Sequence, residues 1–190
     1  RRKRRASCFW GFAVNDRAML VRDATDDDLP AIVPIFNYAV RDTTAVFSTL
    51  ETDVAARAAW VAVRRAKGFP VLVAEADGRV AGFAAYDQFR SFPGYRHTVE
   101  HSVYVDPAVQ RRGTGRALME ALIADAKARG LHVMVGGIDA DNAASIALHE
   151  ALGFRETGRL PEVGAKFGRW LSLVFMQLVL NPGAAPPEER

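Results

Sequence analysis

Apolar residues change their period along this chain, and the changes mark its elements. Residues 20–24, "LVRDA", hold β-forming side chains together and predict a first strand. From Leu29 the spacing turns helical. Leu29, Ile32, Val33, Phe36 and Val40 recur at steps of three and four, behind Thr25 or one of Asp26–Asp28 as a cap. The stretch "TTAVFSTLET" follows neither period and reads as a connection. Asp53 then stands where a second helix would be capped, and Gly68 stops that helix after Lys67. "PVLVAEADGRVAGFAAYDQF" places two β-rich runs around Asp77 and Gly78, a hairpin signal. The loop "RSFPGYRH" leads to "TVEHSVYV", a strand closed by Asp106 and Pro107.

The second half alternates strand and helix. "QRRGTGRALMEALIADAKARG" carries a helical stripe of Leu118, Ala121 and Leu122, ended by Gly130. "HVMVGGID" is a strand, and "NAASIALHEALGF" a short helix stopped by Gly153. Residues 155–160 and 170–180 read as final strands. The order is βααββ and then βαβαββ, which makes residues 19–180 one α/β domain. The Pro-rich end, 181–190, is expected to be a disordered tail.

Composition changes this picture at one place. The chain of 190 residues is 49% hydrophobic and 25% charged, ordinary for a globular fold, and no apolar run approaches the roughly 20 residues of a membrane span. Its pI of about 9.3 alone would suggest a nucleic-acid partner. However, six basic residues and one acidic residue stand among the first eighteen, which leaves a net −2 on the rest of the +3 chain. Residues 1–18 therefore read as a basic extension, expected to be disordered or not native, ahead of a fold that begins at Met19. No nucleic-acid or membrane partner is expected. The only cysteine, Cys8, lies in that extension, so an intrachain disulfide and a cysteine metal cluster are excluded, and a reducing cytoplasm fits.

Two stretches carry chemistry. Gln110, Arg111, Arg112, Gly113, Thr114, Gly115 and Arg116 lie between a strand end and a helix start. There, free backbone N–H groups, a positive helix end and arginine charge suit a pyrophosphate. The phosphate loop of nucleotide hydrolases and the dinucleotide fingerprint are both absent, since Leu118 stands where the latter needs its third glycine. In "TVEHSVYV", Glu100 shares a strand face with Thr98, Ser102 and Tyr104, while His101 lies with Val99, Val103 and Val105. A carboxylate and an imidazole side by side in such a strand invite a functional reading.

A Q-x-x-G-x-G loop after a strand, followed by helix, strand and "NAASIALHEALGF", resembles the GNAT N-acetyltransferase superfamily. "TVEHSVYV", "LHEALGF" and "KFGRW" are similar to its branch acting on phosphinothricin, methionine sulfoximine and methionine sulfone. The resemblance covers about residues 20–180. It implies a mixed, mostly antiparallel central sheet, splayed in the middle and flanked by helices. It also implies acetyl-CoA as cosubstrate, held by the backbone of Val103, Tyr104 and Val105, by Arg111, Arg112, Gly113, Thr114, Gly115 and Arg116, and by Asn142. The plain alternative for Asn142 is a helix N-cap. No metal is implied. Relatives pair as homodimers.

On the acceptor side the resemblance makes Glu100 the general base that receives the amine's proton. His149, where many relatives have tyrosine, and Tyr104 are the two candidates for acting on the departing thiolate. Arg90, Ser91 and Phe92, with Glu100, His101 and Ser102, are expected to line the pocket of a small amino acid. Arg90 would clamp its carboxylate and Phe92 would wall its side chain. The expected reaction is direct attack of an α-amine on the thioester. The alternatives are acetylation of a peptide N-terminus or another small amine, and a non-catalytic acyl-CoA-binding module.

Overall fold

The computed structural model describes residues 9–14, 17–110 and 112–186, with side chains from Met19 onward. Contacts gather the chain into two compact units. One takes residues up to Tyr86 with Ser102–Leu122, and the other takes Asp87–His101 with the residues from Ile123.

In the first unit, strands β1 (Phe9–Val14), β2 (Arg17–Asp23), β3 (Val71–Ala76) and β4 (Arg79–Gln88) pair antiparallel in that order. Strand β1 lies inside the segment 1–18, for which the expectation was a basic extension either disordered or not native. "FWGFAV" is rich in aromatic and β-branched residues, and it supplies a partner for the edge of β2, from Phe9 opposite Arg22 to Val14 opposite Arg17. Residues 1–8 lie outside the described residues. Asp77 and Gly78 both take positive φ, 51° and 71°, which is the two-residue turn that matches strand twist. Helix α1 (Leu29–Asp42) follows a capping box of Thr25 and Asp28. Helix α2 (Val54–Ala66) is capped by Asp53, whose carboxylate accepts from Ala56 N at 2.7 Å. Leu29, Ile32 and Ile35 of α1 and Val61 of α2 form a core with Val71, Val73, Phe83 and Ala85.

In the second unit, β5 (Thr98–Val105) runs parallel to β6 (Val133–Asp139), with Val99 opposite Met134 and Glu100 opposite Val135. β6 pairs antiparallel with β8 (Arg169–Val179), and β8 with β7 (Arg155–Lys166). With one parallel pair among antiparallel ones, the pairing is mixed and mostly antiparallel. Strand β7 runs six residues past the expected end at 160. Register shifts between Glu156 and Gly158 and between Leu160 and Gly164, with Glu162 at φ 52°, carry it past Pro161 and hide its alternation in sequence. Helices α3 (Thr114–Ala128) and α4 (Ala143–Ala151) complete the order. Strand β5 and helix α3 contribute residues to both units. Residues 181–186 continue without helix or strand.

Candidate active site

The second unit holds Glu100. Its side chain is half-buried, and burial pushes its pKa above the ordinary carboxylate range, opposed by the charge of Arg90. Room for the carboxylate comes from β6. A Cβ on Gly137 would stand 3.3 Å from Glu100 Oε1. The loop that carries Arg90, Ser91 and Phe92 is exposed, Phe92 being 69% accessible. It is anchored by Phe89, whose ring meets Tyr95 and Phe175 edge-on at 5.8 and 6.4 Å. Arg90 lies over the Phe89 ring at 4.2 Å and donates to Phe89 O at 3.1 Å. The structure thus brings Arg90 under the influence of Glu100, while Ser91 and Phe92 face solvent.

His101 points to the other face of β5 and meets His149 of α4. Their Nε2 atoms are 3.0 Å apart, and the rings stack at 5.0 Å and 19° with Phe154 edge-on to both. His149 Nδ1 lies 2.7 Å from Ser145 O, a carbonyl that can only accept, so Nδ1 carries the hydrogen. Neutral His149 then presents a bare Nε2, and His101 must donate to it from its own Nε2–H. That leaves His101 Nδ1 as a buried lone pair without a partner. Burial holds both imidazoles neutral. His101 is pushed down to about 3 by burial and by the nearby His149, and His149 is lowered by burial against the Ser145 hydrogen bond. Again a glycine makes the space, because a Cβ on Gly136 would fall 2.6 Å from His101 Nε2. Gly136 and Gly137 therefore admit the two faces of β5. Sequence reasoning passed over both, although a glycine pair inside a β-branched strand signals close approach. Asn142 caps α4, its Oδ1 accepting from Ser145 N at 3.0 Å.

The first unit holds the expected cofactor elements. Ser102, Val103, Tyr104 and Val105 are partly buried. Gly82 of β4 lets Tyr104 come close, since a Cβ there would meet Tyr104 O at 2.7 Å and Thr114 Cγ2 at 3.2 Å. Asp106 N donates to Ala81 O at 2.9 Å beyond the strand end. Gly113 takes φ 81°, a conformation that suits glycine, and the first helical bond of α3 runs from Ala117 N to Gly113 O. The N–H groups of Thr114, Gly115 and Arg116 precede that bond and face out of the helix end. Thr114 Oγ1 is buried without a partner. Arg112 is exposed, and Arg116 reaches Glu120 at 3.5 Å. Arg111 lies outside the described residues. The Tyr104 phenol is pushed up to about 12 by burial, against the pull of Arg57 and Arg64.

No group of three or more metal-ligating side chains occurs among the described residues, and no described helix is long and apolar enough to cross a membrane.

Comparison with known proteins agrees with this arrangement. Over 168 residues the chain is 51% identical to the L-methionine sulfoximine/L-methionine sulfone acetyltransferase of Salmonella typhimurium, covering 88% of this chain and 98% of the relative. It is 41% identical over 167 residues to a phosphinothricin N-acetyltransferase of Alcaligenes faecalis, covering 87% and 85%. The solved structure of a Salmonella typhimurium acetyltransferase with its cofactor acetyl-CoA superposes with a TM-score of 0.86 at 51% identity, over 89% of this chain and 98% of that one. The family model matches residues 32–154. With a half-buried carboxylate in the strand, a glycine-opened helix N-terminus after it and these relatives, the chain belongs to the acetyltransferase (GNAT) family.

Proposed function

We propose that this protein transfers the acetyl group of acetyl-CoA to the α-amine of a small amino acid with a tetrahedral sulfur or phosphorus in its side chain. Methionine sulfone, methionine sulfoximine and phosphinothricin are the acceptors. The observation that carries this is Glu100, a carboxylate raised by burial and given room by Gly137, in the strand that continues into Val103, Tyr104 and Val105. The relatives named for the same acceptors support it.

The amine nitrogen attacks the thioester carbonyl, forming the C–N bond, and the C–S bond breaks as CoA leaves as thiolate. Glu100 receives the proton from the attacking nitrogen. Burial raises its pKa, which makes it a stronger base than an ordinary carboxylate. Arg90 holds the acceptor's carboxylate, with Ser91, Phe92, His101 and Ser102 as the remaining lining. Backbone groups of Val103, Tyr104 and Val105 hold the pantetheine, and Arg111, Arg112, Gly113, Thr114, Gly115 and Arg116 hold the pyrophosphate. Asn142 serves as helix cap and cofactor contact. For the thiolate, the hydrogen bonds favour Tyr104 over His149, because both ring nitrogens of His149 are committed within the fold. At about 12 the Tyr104 phenol is a weaker acid than an ordinary thiol near 8.5, so it steadies the sulfur by a hydrogen bond.

The protein acts as a homodimer in the cytoplasm. Leu160, Val163, Phe167 and Trp170 are all exposed on the β7–β8 ribbon, Trp170 by 67%, and a second copy would cover them. Light scattering tests the dimer. A thiol-release assay with acetyl-CoA tests the reaction against methionine sulfone, methionine sulfoximine, phosphinothricin, methionine and a short peptide. Sulfone and sulfoximine should exceed methionine well, because a site that bonds the extra oxygen or nitrogen rejects the analogue lacking it. Equal turnover of methionine, or turnover of the peptide alone, would overturn the assignment.

A further inference from the structure

Above Gly137 of β6 two side chains converge. Gly137 lies two residues past Val135, the partner of Glu100 in the parallel pair, so it shares the carboxylate's face of the sheet. β8 brings Phe175 opposite Gly137 and Leu173 opposite Asp139, on that same face. A Cβ on Gly137 would meet Glu100 Oε1 at 3.3 Å and the two methyl carbons of Leu173 at 3.6 and 3.7 Å. The carboxylate and the branched end of Leu173 thus close over one bare Cα.

Little else holds Glu100. Among the described residues no hydrogen bond reaches its carboxylate, and the electrostatic pull on it comes from Arg90, which is exposed. On the same face β6 also carries Asp139, buried, with its Oδ1 accepting from Asp141 N at 3.3 Å. β8 supplies Leu173, Phe175 and Gln177, none of them charged, and β5 itself adds the Tyr104 phenol four residues on. A carboxylate at the end of rotatable bonds, with no donor to fix it, takes its orientation from packing. A general base works only from a defined position. Nor is Leu173 spent on the core. Val174 and Met176, on the other face of β8, are 0% exposed, whereas Leu173 and Phe175 are only partly buried. An apolar side chain left partly open beside a half-buried carboxylate shields a base from bulk water and leaves an acceptor room to reach it.

We propose that Leu173 is a positioning residue for the acetyl transfer: its branched end and the bare Cα of Gly137 seat the Glu100 carboxylate and shut water from that side of it. The inference rests on the function proposed above. Without the leucine end the carboxylate is free to rotate toward solvent. Fewer encounters with the amine are then productive, and hydration returns the carboxylate to ordinary basicity.

The test uses Leu173→Ala, Leu173→Val and Leu173→Met, each alone and combined with Glu100→Gln. Acetyl-CoA should still raise the melting temperature of each, which reports a folded protein. With methionine sulfone, kcat should fall about tenfold in Leu173→Ala. It should fall less in Leu173→Val, which draws the branched end back by one methylene and keeps a strand former. Leu173→Met keeps the volume and should stay near the parent. KM for acetyl-CoA should not move. In the Glu100→Gln background the same substitutions should cost almost nothing, since no base is left to place. A carbon-13 titration of the Glu100 carboxyl, assigned by its absence in Glu100→Gln, should shift down toward the ordinary carboxylate range in Leu173→Ala and Leu173→Val, and not in Leu173→Met. Folded Leu173→Ala and Leu173→Val proteins with parental kcat and titration, or an equal loss of kcat with and without Glu100, would overturn the seat while leaving the function intact. A parent that acetylates no amine tested, yet whose Glu100 titration shifts as described, would overturn the function and keep the seat.

Discussion

Gly136→Ala puts one methyl where the fold has no room. Its Cβ would stand 2.6 Å from His101 Nε2 and 3.3 Å from His149 Nε2. Neither atom can swing aside, because both rings are buried, stacked and joined by the 3.0 Å hydrogen bond. Overpacking costs about 1–3 kcal/mol, and bending the imidazole pair forfeits on the order of 1 kcal/mol more. Alanine also narrows the unfolded ensemble, which returns about 0.4–1 kcal/mol. Gly136 is not among the glycines with positive φ, so backbone strain adds nothing. The net loss is about 1–3 kcal/mol. For a chain of this length each kcal/mol is worth about 2–4 °C, so the melting temperature should fall by about 2–12 °C. Gly137→Ala is the companion. Its Cβ meets only the flexible end of Glu100 at 3.3 Å and Leu173 at 3.6 Å. It should melt within about 1 kcal/mol of the parent, yet lose about tenfold or more in turnover by displacing the carboxylate. Calorimetry of all three proteins, with the thiol-release assay, separates the two effects. A Gly136→Ala protein that melts with the parent would refute the reasoning, since the histidine pair would then be yielding.

Glu100→Gln should lower kcat by about 10²–10⁴ with acetyl-CoA affinity and melting little changed. Raising the pH should partly restore it as more amine becomes neutral, and an early-melting variant with near-parental turnover would make the carboxylate structural. Stability should fall as the pH drops below about 6.5, because the unfolded chain binds protons that neutral buried His101 and His149 refuse. His101 alone is worth about 2 kcal/mol between pH 6.5 and 5, and its loss is complete near its folded value of about 3. His149 acts in the same direction, and the raised Glu100 returns a part as it protonates first in the native state. Equal urea midpoints at pH 7 and 5 would contradict this. Deleting residues 1–18 should spare acetyl transfer but lower the melting temperature by a few degrees, because β2 loses the partner opposite Met19, Leu20, Val21 and Arg22; a truncated protein without turnover would show a deeper role for that segment.

Much of this was legible in the sequence for local reasons. The Asp77–Gly78 turn, the Asp53 cap and the Gly153 stop are each set by one or two residues, and the structure has all three. The glycine loop before α3 was legible because a strand end, a glycine and a helix start are consecutive in the chain. What escaped depends on partners far along it. β1 exists through its pairing with β2. The inward turn of Arg57 shows only when the faces of α2 are known, although Arg57 and Val61 at i and i+4 form its buried stripe. The His101–His149 pair joins residues 48 positions apart. Nothing in either local stretch says that the two imidazoles meet, and so nothing there fixes which nitrogens carry hydrogen.

That fixed tautomer pattern makes the pair a built-in spectroscopic reporter. The whole chain has four histidines, so a nitrogen-15 imidazole spectrum is sparse enough to read residue by residue. One Nε2 of the facing pair is of the pyrrole kind and the other of the pyridine kind, joined by a hydrogen bond across which scalar coupling can pass. The shared proton, shielded from solvent, should exchange slowly and resonate far downfield. Its line would vanish whenever α4 lifts from β5, and would so time that local opening without any added probe.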